Sequence, residues 1–173
     1  MFLELIATIF AGFAGAGIVL LLNKLTGGRL PKWAMPVAAG AAMIATTIGN
    51  EYGWFPRTKS NLPEDVVIID TVENQAWYRP WTYARPYVER FVALDEASVK
   101  THDNAPDHKL ADIYLFGRWS PVHQIPVLAD CAGSRRAALT DGVSFAADGT
   151  VKGADWATVP ADDAILANIC GGS

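Results

Sequence analysis

The sequence predicts a two-helix transmembrane hairpin followed by a small β-rich (α+β) extracytoplasmic domain that ends in a short helix. Apolar residues make up 51% of the chain, and their excess is concentrated in the first fifty positions. Short β-type runs separated by turn residues follow them, and both cysteines lie in this later part. The predicted division is a hairpin over residues 1–50, a polar tether over 51–63 and a periplasmic domain over 64–173.

The first predicted span covers residues 2–22, which are apolar apart from Glu4 and Thr8. About 20 helical residues cross a hydrocarbon core of about 30 Å, so this run is long enough. A cleavable signal peptide begins with basic residues and ends at a small-residue cleavage site. Neither feature is present here, and we therefore expect a membrane span rather than a signal peptide or a buried hairpin of a soluble protein.

A second span is predicted over residues 33–49, after a short loop over 23–32. That loop contains Lys24, Arg29 and Lys32 and no acidic residue. Short loops rich in Lys and Arg stay in the cytoplasm. We therefore expect a multi-pass protein of the bacterial inner (cytoplasmic) membrane, with both termini and the β-rich domain on the periplasmic side.

Small residues predict how the spans pack. They lie mainly in the first span, with a further group in the second, and small residues let helix backbones approach closely in lipid. Two interpretations remain open: these small residues pack against the other span of the same chain, or against a helix of another protein. The predicted helix-packing residues are Ala11, Gly12, Gly15, Ala16 and Gly40.

The β-rich domain is predicted from short apolar runs and turn signals. Residues 101–108 are expected to form a polar loop, and Ala147-Asp148-Gly149 is expected to turn a hairpin. Proline and acidic residues at 160–163 mark the start of a C-terminal helix. The main strand candidates are residues 66–69, 87–94, 110–116 and 122–130.

Cys131 and Cys170 are the two cysteines of the chain. An even number of cysteines in an oxidising compartment favours a disulfide, and closing a loop of about forty residues stabilises a domain by about 4 kcal/mol. The alternatives are two buried thiols, or a catalytic cysteine paired with His123. No third member of such a catalytic group is evident, so we expect the disulfide.

The C-terminal quarter contains a recognisable series of residues: Asp130-Cys131, Arg135-Arg136, Asp148-Gly149, Trp156, Pro160 and Cys170. This series resembles the end of the surface-adhesin E-like family of small bacterial extracytoplasmic domains. The resemblance implies a β-sheet domain whose two cysteines are bridged. Members of that family are typically lipid-anchored or secreted, whereas this chain begins with two predicted spans.

Residues 77–91, WYRPWTYARPYVERF, are dense in aromatic residues and arginine. Pro80 and Pro86 argue against a helix interior or a central strand, so we expect an extended, twice-bent backbone. Trp and Arg are enriched at protein interfaces. The alternatives are an internal arginine–aromatic stack and contact with lipid head groups. The predicted partner-binding residues are Trp77, Arg79, Trp81, Tyr83 and Arg85.

Charge and motifs exclude several functions. Residues 51–173 contain 11 basic and 17 acidic side chains, a net charge of −6, which argues against nucleic acid. The sequence lacks the nucleophile-elbow, Walker, Rossmann and haem-attachment motifs.

The segment THDNAPDH contains His102, Asp103, Asp107 and His108. These residues do not have the spacing of metal ligands, and we therefore interpret the segment as a solvated loop. We expect no enzyme activity, no metal and no cofactor.

The function expected from these patterns is that of a non-catalytic accessory or assembly subunit of a larger inner-membrane complex, for which a bioenergetic complex is the commonest setting. Its partners would be integral membrane proteins and the lipid bilayer. The alternative is a membrane-tethered binding domain of the adhesin E-like kind, acting alone on a soluble ligand.

Overall fold

The structure, a computed structural model, describes residues 2–140, 142–146, 150–160 and 162–171. The chain separates into two units between Ser60 and Asn61. The first unit is a helical hairpin and the second is the β-rich domain. The Ala147-Asp148-Gly149 turn predicted from the sequence lies outside the described residues.

Two helices form the first unit, α1 (Phe2–Leu25) and α2 (Ala34–Ser60). The turn between them contains Gly27 and Gly28, with φ angles of 71° and 80°. This left-handed backbone favours glycine. The amide of Leu30 donates a hydrogen bond of 3.0 Å to the Asn23 side chain, which holds the turn closed.

The helices approach most closely at two buried glycines of α1, Gly12 and Gly15. A Cβ atom added at Gly15 would lie 2.8 Å from both the Ala38 carbonyl oxygen and the Ala42 Cβ. One added at Gly12 would lie 3.0 Å from the Met43 Cγ. Of the other predicted packing residues, Ala11 and Ala16 are half-buried. At Gly40, an added Cβ would meet nothing within 4 Å.

Within the part of the chain that the structure describes, α1 is the one helix long and apolar enough to span a membrane. The apolar half of α2 consists largely of alanine and glycine and ends at Asn50 and Glu51, which lowers its hydropathy. The second membrane span therefore stays a prediction.

Helix α2 replaces most of the predicted tether over 51–63, because it continues to Ser60. Pro56 lies inside it and has no N–H to donate to the preceding turn. Beside it, Arg57 Nε donates to Gly53 O at 3.0 Å and Thr58 Oγ1 donates to Trp54 O at 2.9 Å, which adds side-chain hydrogen bonds to this part of the helix.

The β-rich domain is built on a six-stranded sheet of order β1-β2-β3-β4-β5-β8, with all neighbours antiparallel. A separate two-stranded hairpin is formed by β6 and β7. The strands are β1 (Val66–Asn74), β2 (Tyr87–His102), β3 (Ala105–Gly117), β4 (Ser120–Asp130), β5 (Arg135–Ala138), β6 (Ser144–Phe145), β7 (Val151–Lys152) and β8 (Ala157–Thr158).

The four main strand predictions are confirmed, but the loop predicted over 101–108 is wrong. Strand β2 runs to His102 and β3 begins at Ala105, so this segment is the tip of a long hairpin. The register shifts between Asp95 and Lys100, opposite Asp112 and Leu110. This bulge bends the paired strands.

The C-terminal helix α4 (Ala164–Gly171) covers one face of the sheet. Its Leu166 and Ile169 belong to the main core, together with the sheet residues Leu94, Ala111, Ile113, Val127 and Ala129. The Lys109 ammonium donates to the carbonyls of Ile169 and Cys170, both at 3.3 Å, at the C-terminal end of the helix. These contacts orient α4 on the sheet.

The predicted disulfide is confirmed. Cys131 and Cys170 are bridged, with Cα atoms 5.8 Å apart and a sequence separation of 39. Because Cys131 directly follows β4 and Cys170 lies in α4, the bridge joins the sheet to the helix that covers it.

The glycine contact yields a test of the helical hairpin. Gly15→Leu should destabilise it by about 1–3 kcal/mol, because the larger side chain overpacks a closed contact. Gly17→Leu is the matched control, since a Cβ there meets nothing within 4 Å. Thermal unfolding of the full chain in mild detergent measures both variants. Equal stability of the two would contradict this packing.

Candidate interaction surface

The segment before β2 is a helical turn rather than the predicted extended chain. Residues Trp81–Ala84 form helix α3, which Pro80 precedes with a φ of −59°. Proline suits this position because its fixed φ matches the helix and a helix start needs no N–H bond. The prediction excluded proline from a helix interior, but Pro80 precedes the turn and Pro86 follows it.

Thr82 fixes this turn from inside. Its side chain is fully buried, and its hydroxyl donates to the Arg79 carbonyl at 2.7 Å. The same oxygen accepts a hydrogen bond of 3.0 Å from the Ala76 amide. These two hydrogen bonds of Thr82 therefore stabilise the turn of the chain at this point.

The turn leaves large aromatic side chains in solvent. Trp77 is 83% exposed, and Tyr78 and Tyr83 are each 60% exposed. Trp81 is half-buried, and Arg85 is exposed. The predicted partner-binding residues therefore do not line one side of an extended strand, because residues 81–84 are helical and the five side chains differ in exposure.

The Arg79 side chain is half-buried and packs against neighbouring rings of the domain. Its guanidinium carbon lies 5.1 Å from the Tyr78 ring centroid and 5.7 Å from that of Tyr87. It also donates to the Tyr87 hydroxyl at 3.4 Å. Tyr87 is buried, and the buried Phe91 stacks on Phe116 at 4.6 Å. The end of the segment thus packs internally.

Sequence reasoning missed Trp119, which is 47% exposed in the turn between β3 and β4. Gly117 pairs with both Arg90 and Ser120, so this turn lies at the end of the sheet where β2 begins. The Arg118 guanidinium carbon lies 4.6 Å from the Trp119 ring centroid. We call the exposed rings at this end, Trp77, Tyr78, Tyr83 and Trp119, the aromatic surface.

A second cluster surrounds Asp130, which is buried at the end of β4. Its carboxylate forms an ion pair with Arg135 and accepts a hydrogen bond of 2.8 Å from the Gly133 amide. His108 Nε2 lies 4.0 Å away. Trp156 lies against both of these side chains: its ring centroid is 5.9 Å from that of His108 and 5.4 Å from the Arg135 guanidinium carbon.

Burial alone would raise the pKa of Asp130. Two kinds of contact outweigh this effect of burial: the hydrogen bonds from Arg135 and the Gly133 amide, and the electrostatic attraction of Arg135 and His108. Together they hold the pKa of Asp130 below its ordinary value of 3.8. Asp130 is thus an ionised acceptor that closes the turn from β4 to β5. Among residues 2–140, 142–146, 150–160 and 162–171, no group of three or more His, Cys, Asp or Glu side chains could hold a metal.

Comparisons with known proteins return no family model, no curated protein and no solved structure that matches this chain. The resemblance to the adhesin E-like family therefore stays a prediction. Several residues that carry it do meet in space, because Asp130, Arg135 and Trp156 form one cluster beside the disulfide.

The Asp130 cluster predicts a stability that depends on pH. Because the folded-state pKa is depressed, the stabilisation is present above the unfolded value of about 3.8 and is lost as the pH falls through the folded value. Asp130→Asn should therefore cost about 1–3 kcal/mol at neutral pH and nothing in strong acid. Asp103→Asn, at an exposed residue, is the control.

Thermal unfolding of the full chain in detergent, followed from neutral to strongly acidic pH, makes this measurement. A neutral-pH melting temperature of Asp130→Asn equal to that of the unaltered protein would contradict the role given to the carboxylate.

Proposed function

We propose that this protein is a membrane-anchored, non-catalytic accessory or assembly subunit, whose β-rich domain binds a partner protein of a larger membrane complex through the aromatic surface. The observation that carries the proposal is the exposure of three large rings within seven residues, Trp77, Tyr78 and Tyr83. A domain that worked alone would have little reason to keep them in water.

The anchor and the compartment support this proposal. Helix α1 is long and apolar enough to cross a membrane. The Cys131–Cys170 disulfide is typical of oxidising compartments, which for an inner-membrane protein means the periplasmic side. The basic loop over residues 23–32 favours the same orientation.

The aromatic surface has the chemistry of a protein interface. Trp and Tyr bury large areas with few rotatable bonds, and their N–H and O–H groups pair with polar partners at the rim. The backbone beneath them is held in place, because the buried Thr82 hydroxyl accepts a hydrogen bond from the Ala76 amide and donates one to the Arg79 carbonyl. A rigid base reduces the entropy lost on binding.

The partner's surface should be apolar with carboxylates at its edge. Arg85 and the Arg118–Trp119 pair supply positive charge beside the rings. Nucleic acid is disfavoured by the net charge of −6 over residues 51–173, from 11 basic and 17 acidic side chains. An integral membrane protein is the partner that fits best, because the proposed anchor keeps this chain in the same bilayer as such proteins.

Truncation of the exposed rings tests the proposal. Trp77→Ala and Tyr83→Ala should each weaken co-purification with the partner by about 2 kcal/mol or more, or roughly thirtyfold, while the melting temperature is unchanged. Both rings are mostly in solvent, so their loss removes little internal packing. The measurement is purification of the tagged chain from native membranes in mild detergent, followed by identification of co-migrating proteins.

Phe145→Ala is the matched control, because Phe145 is 54% exposed at a distant part of the domain and should keep its partner. A lone monomer in every detergent tested would contradict the subunit proposal and favour a tethered domain that acts alone. A melting temperature that collapses in Trp77→Ala would assign the ring to internal packing instead.

A further inference from the structure

A pocket of about 280 Å³ lies at the end of the sheet opposite the aromatic surface. The aromatic surface includes the turn after β3, whereas this pocket adjoins the turn before β3. Its described lining comes from the ends of β2, β3 and β4 and from the β6–β7 hairpin. The lining residues that matter here are Lys100, His102, His108, Leu110, Leu128 and Phe145.

The floor of the pocket is apolar because of the strand register. Leu110 pairs with Lys100 on one side and with Leu128 on the other, so the three side chains stand in a row on one face of the sheet. Leu128 is 2% exposed. The paired residues Phe145 and Val151 line the same space from the β6–β7 hairpin. An apolar group of a ligand can therefore lie between sheet and hairpin.

The mouth of the pocket offers hydrogen-bond donors. His102 Nδ1 accepts a hydrogen bond of 3.2 Å from the Asn104 amide. The proton of the neutral ring is therefore on Nε2, which makes that nitrogen a donor. The Lys100 ammonium adds a positive charge and further donors. Both side chains are exposed, so they stand at the opening rather than in the floor.

Several other charged groups at this site are engaged within the domain. Lys109 is engaged by the carbonyls of Ile169 and Cys170. His108 forms a wall, with its ring stacked on Trp156 and its Nε2 facing Asp130. Asp130 itself is paired with Arg135. None of the described residues that line the pocket is acidic, although residues 51–173 as a whole have more acidic than basic side chains.

We infer that this pocket binds a small organic acid, with its apolar body on Leu110 and Leu128 and its acid group at Lys100 and His102. An apolar floor with donors and a positive charge at one rim selects an amphiphilic anion over a neutral molecule. This site is separate from the aromatic surface, and its inference does not depend on the proposed partner.

The histidines of the chain make the test specific. The sequence contains three: His102 and His108 line the pocket, whereas His123 lies exposed on β4 and is not among the lining residues. The full chain, labelled with ¹³C at histidine Cε1 and reconstituted in nanodiscs, is titrated with 4-tert-butylbenzoate. The signals of His102 and His108 should shift to saturation at millimolar concentrations or below, while that of His123 stays in place.

Two comparisons separate the acid group from the apolar body. 4-tert-Butylbenzyl alcohol, which has the same body without the charge, should bind about tenfold more weakly or worse. Lys100→Gln with His102→Gln should weaken benzoate binding by a similar factor, now read from His108. Lys152→Gln is the matched control, because it removes the same charge from a residue outside the lining.

Absence of a saturable shift at His102 and His108, or an equal shift at His123, overturns the site. Equal affinity for the benzoate and the alcohol overturns the assignment of an acid. Both of these outcomes are read on the unaltered protein, so the test stands even if the double variant fails to fold.

Discussion

The bridge between Cys131 and Cys170 is the constraint on which the β-rich domain depends. Helix α4 has only eight residues, too few to be stable alone, yet its Leu166 and Ile169 complete the main core. The bridge fixes this helix to the end of β4, and closing a loop of 39 residues stabilises the fold by about 4 kcal/mol in the loop-entropy account. Without it, α4 would detach more readily and leave apolar residues of the sheet in water.

The same bridge connects fold to location and function. A domain that needs an oxidised pair folds best outside the cytoplasm, and α1 supplies a segment long enough to hold it at a membrane. The sheet then presents the aromatic surface at one end and the pocket at the other, joined by the thirteen residues of β3. In the proposed account, the domain holds a partner protein at the first end while the second remains open to a small ligand.

Sequence patterns were sufficient where one local signal dominates. Apolar length predicted α1, short apolar runs between turn signals predicted the main strands, and the even cysteine count predicted the disulfide. They failed where side-chain hydrogen bonds or strand register decide the outcome. The segment predicted as a tether is helical to Ser60, with Arg57 and Thr58 bonded to carbonyls beside Pro56, and Thr82 folds the proline-flanked segment into a turn. Trp119 and the pocket were missed because only strand register brings their residues together.

The central claim, that the β-rich domain is anchored with its bridge on the oxidising side of a membrane, is tested most directly by thiol labelling in intact cells. Single cysteines replace Asp103, in the exposed tip of the β2–β3 hairpin, and Thr26, at the exposed turn after α1. With the outer membrane permeabilised, an impermeant maleimide should label the residue 103 variant and spare the residue 26 variant. The unaltered chain, whose cysteines are bridged, should stay unlabelled. Labelling at residue 26 alone would contradict the orientation, and labelling of Cys131 or Cys170 would contradict the bridge.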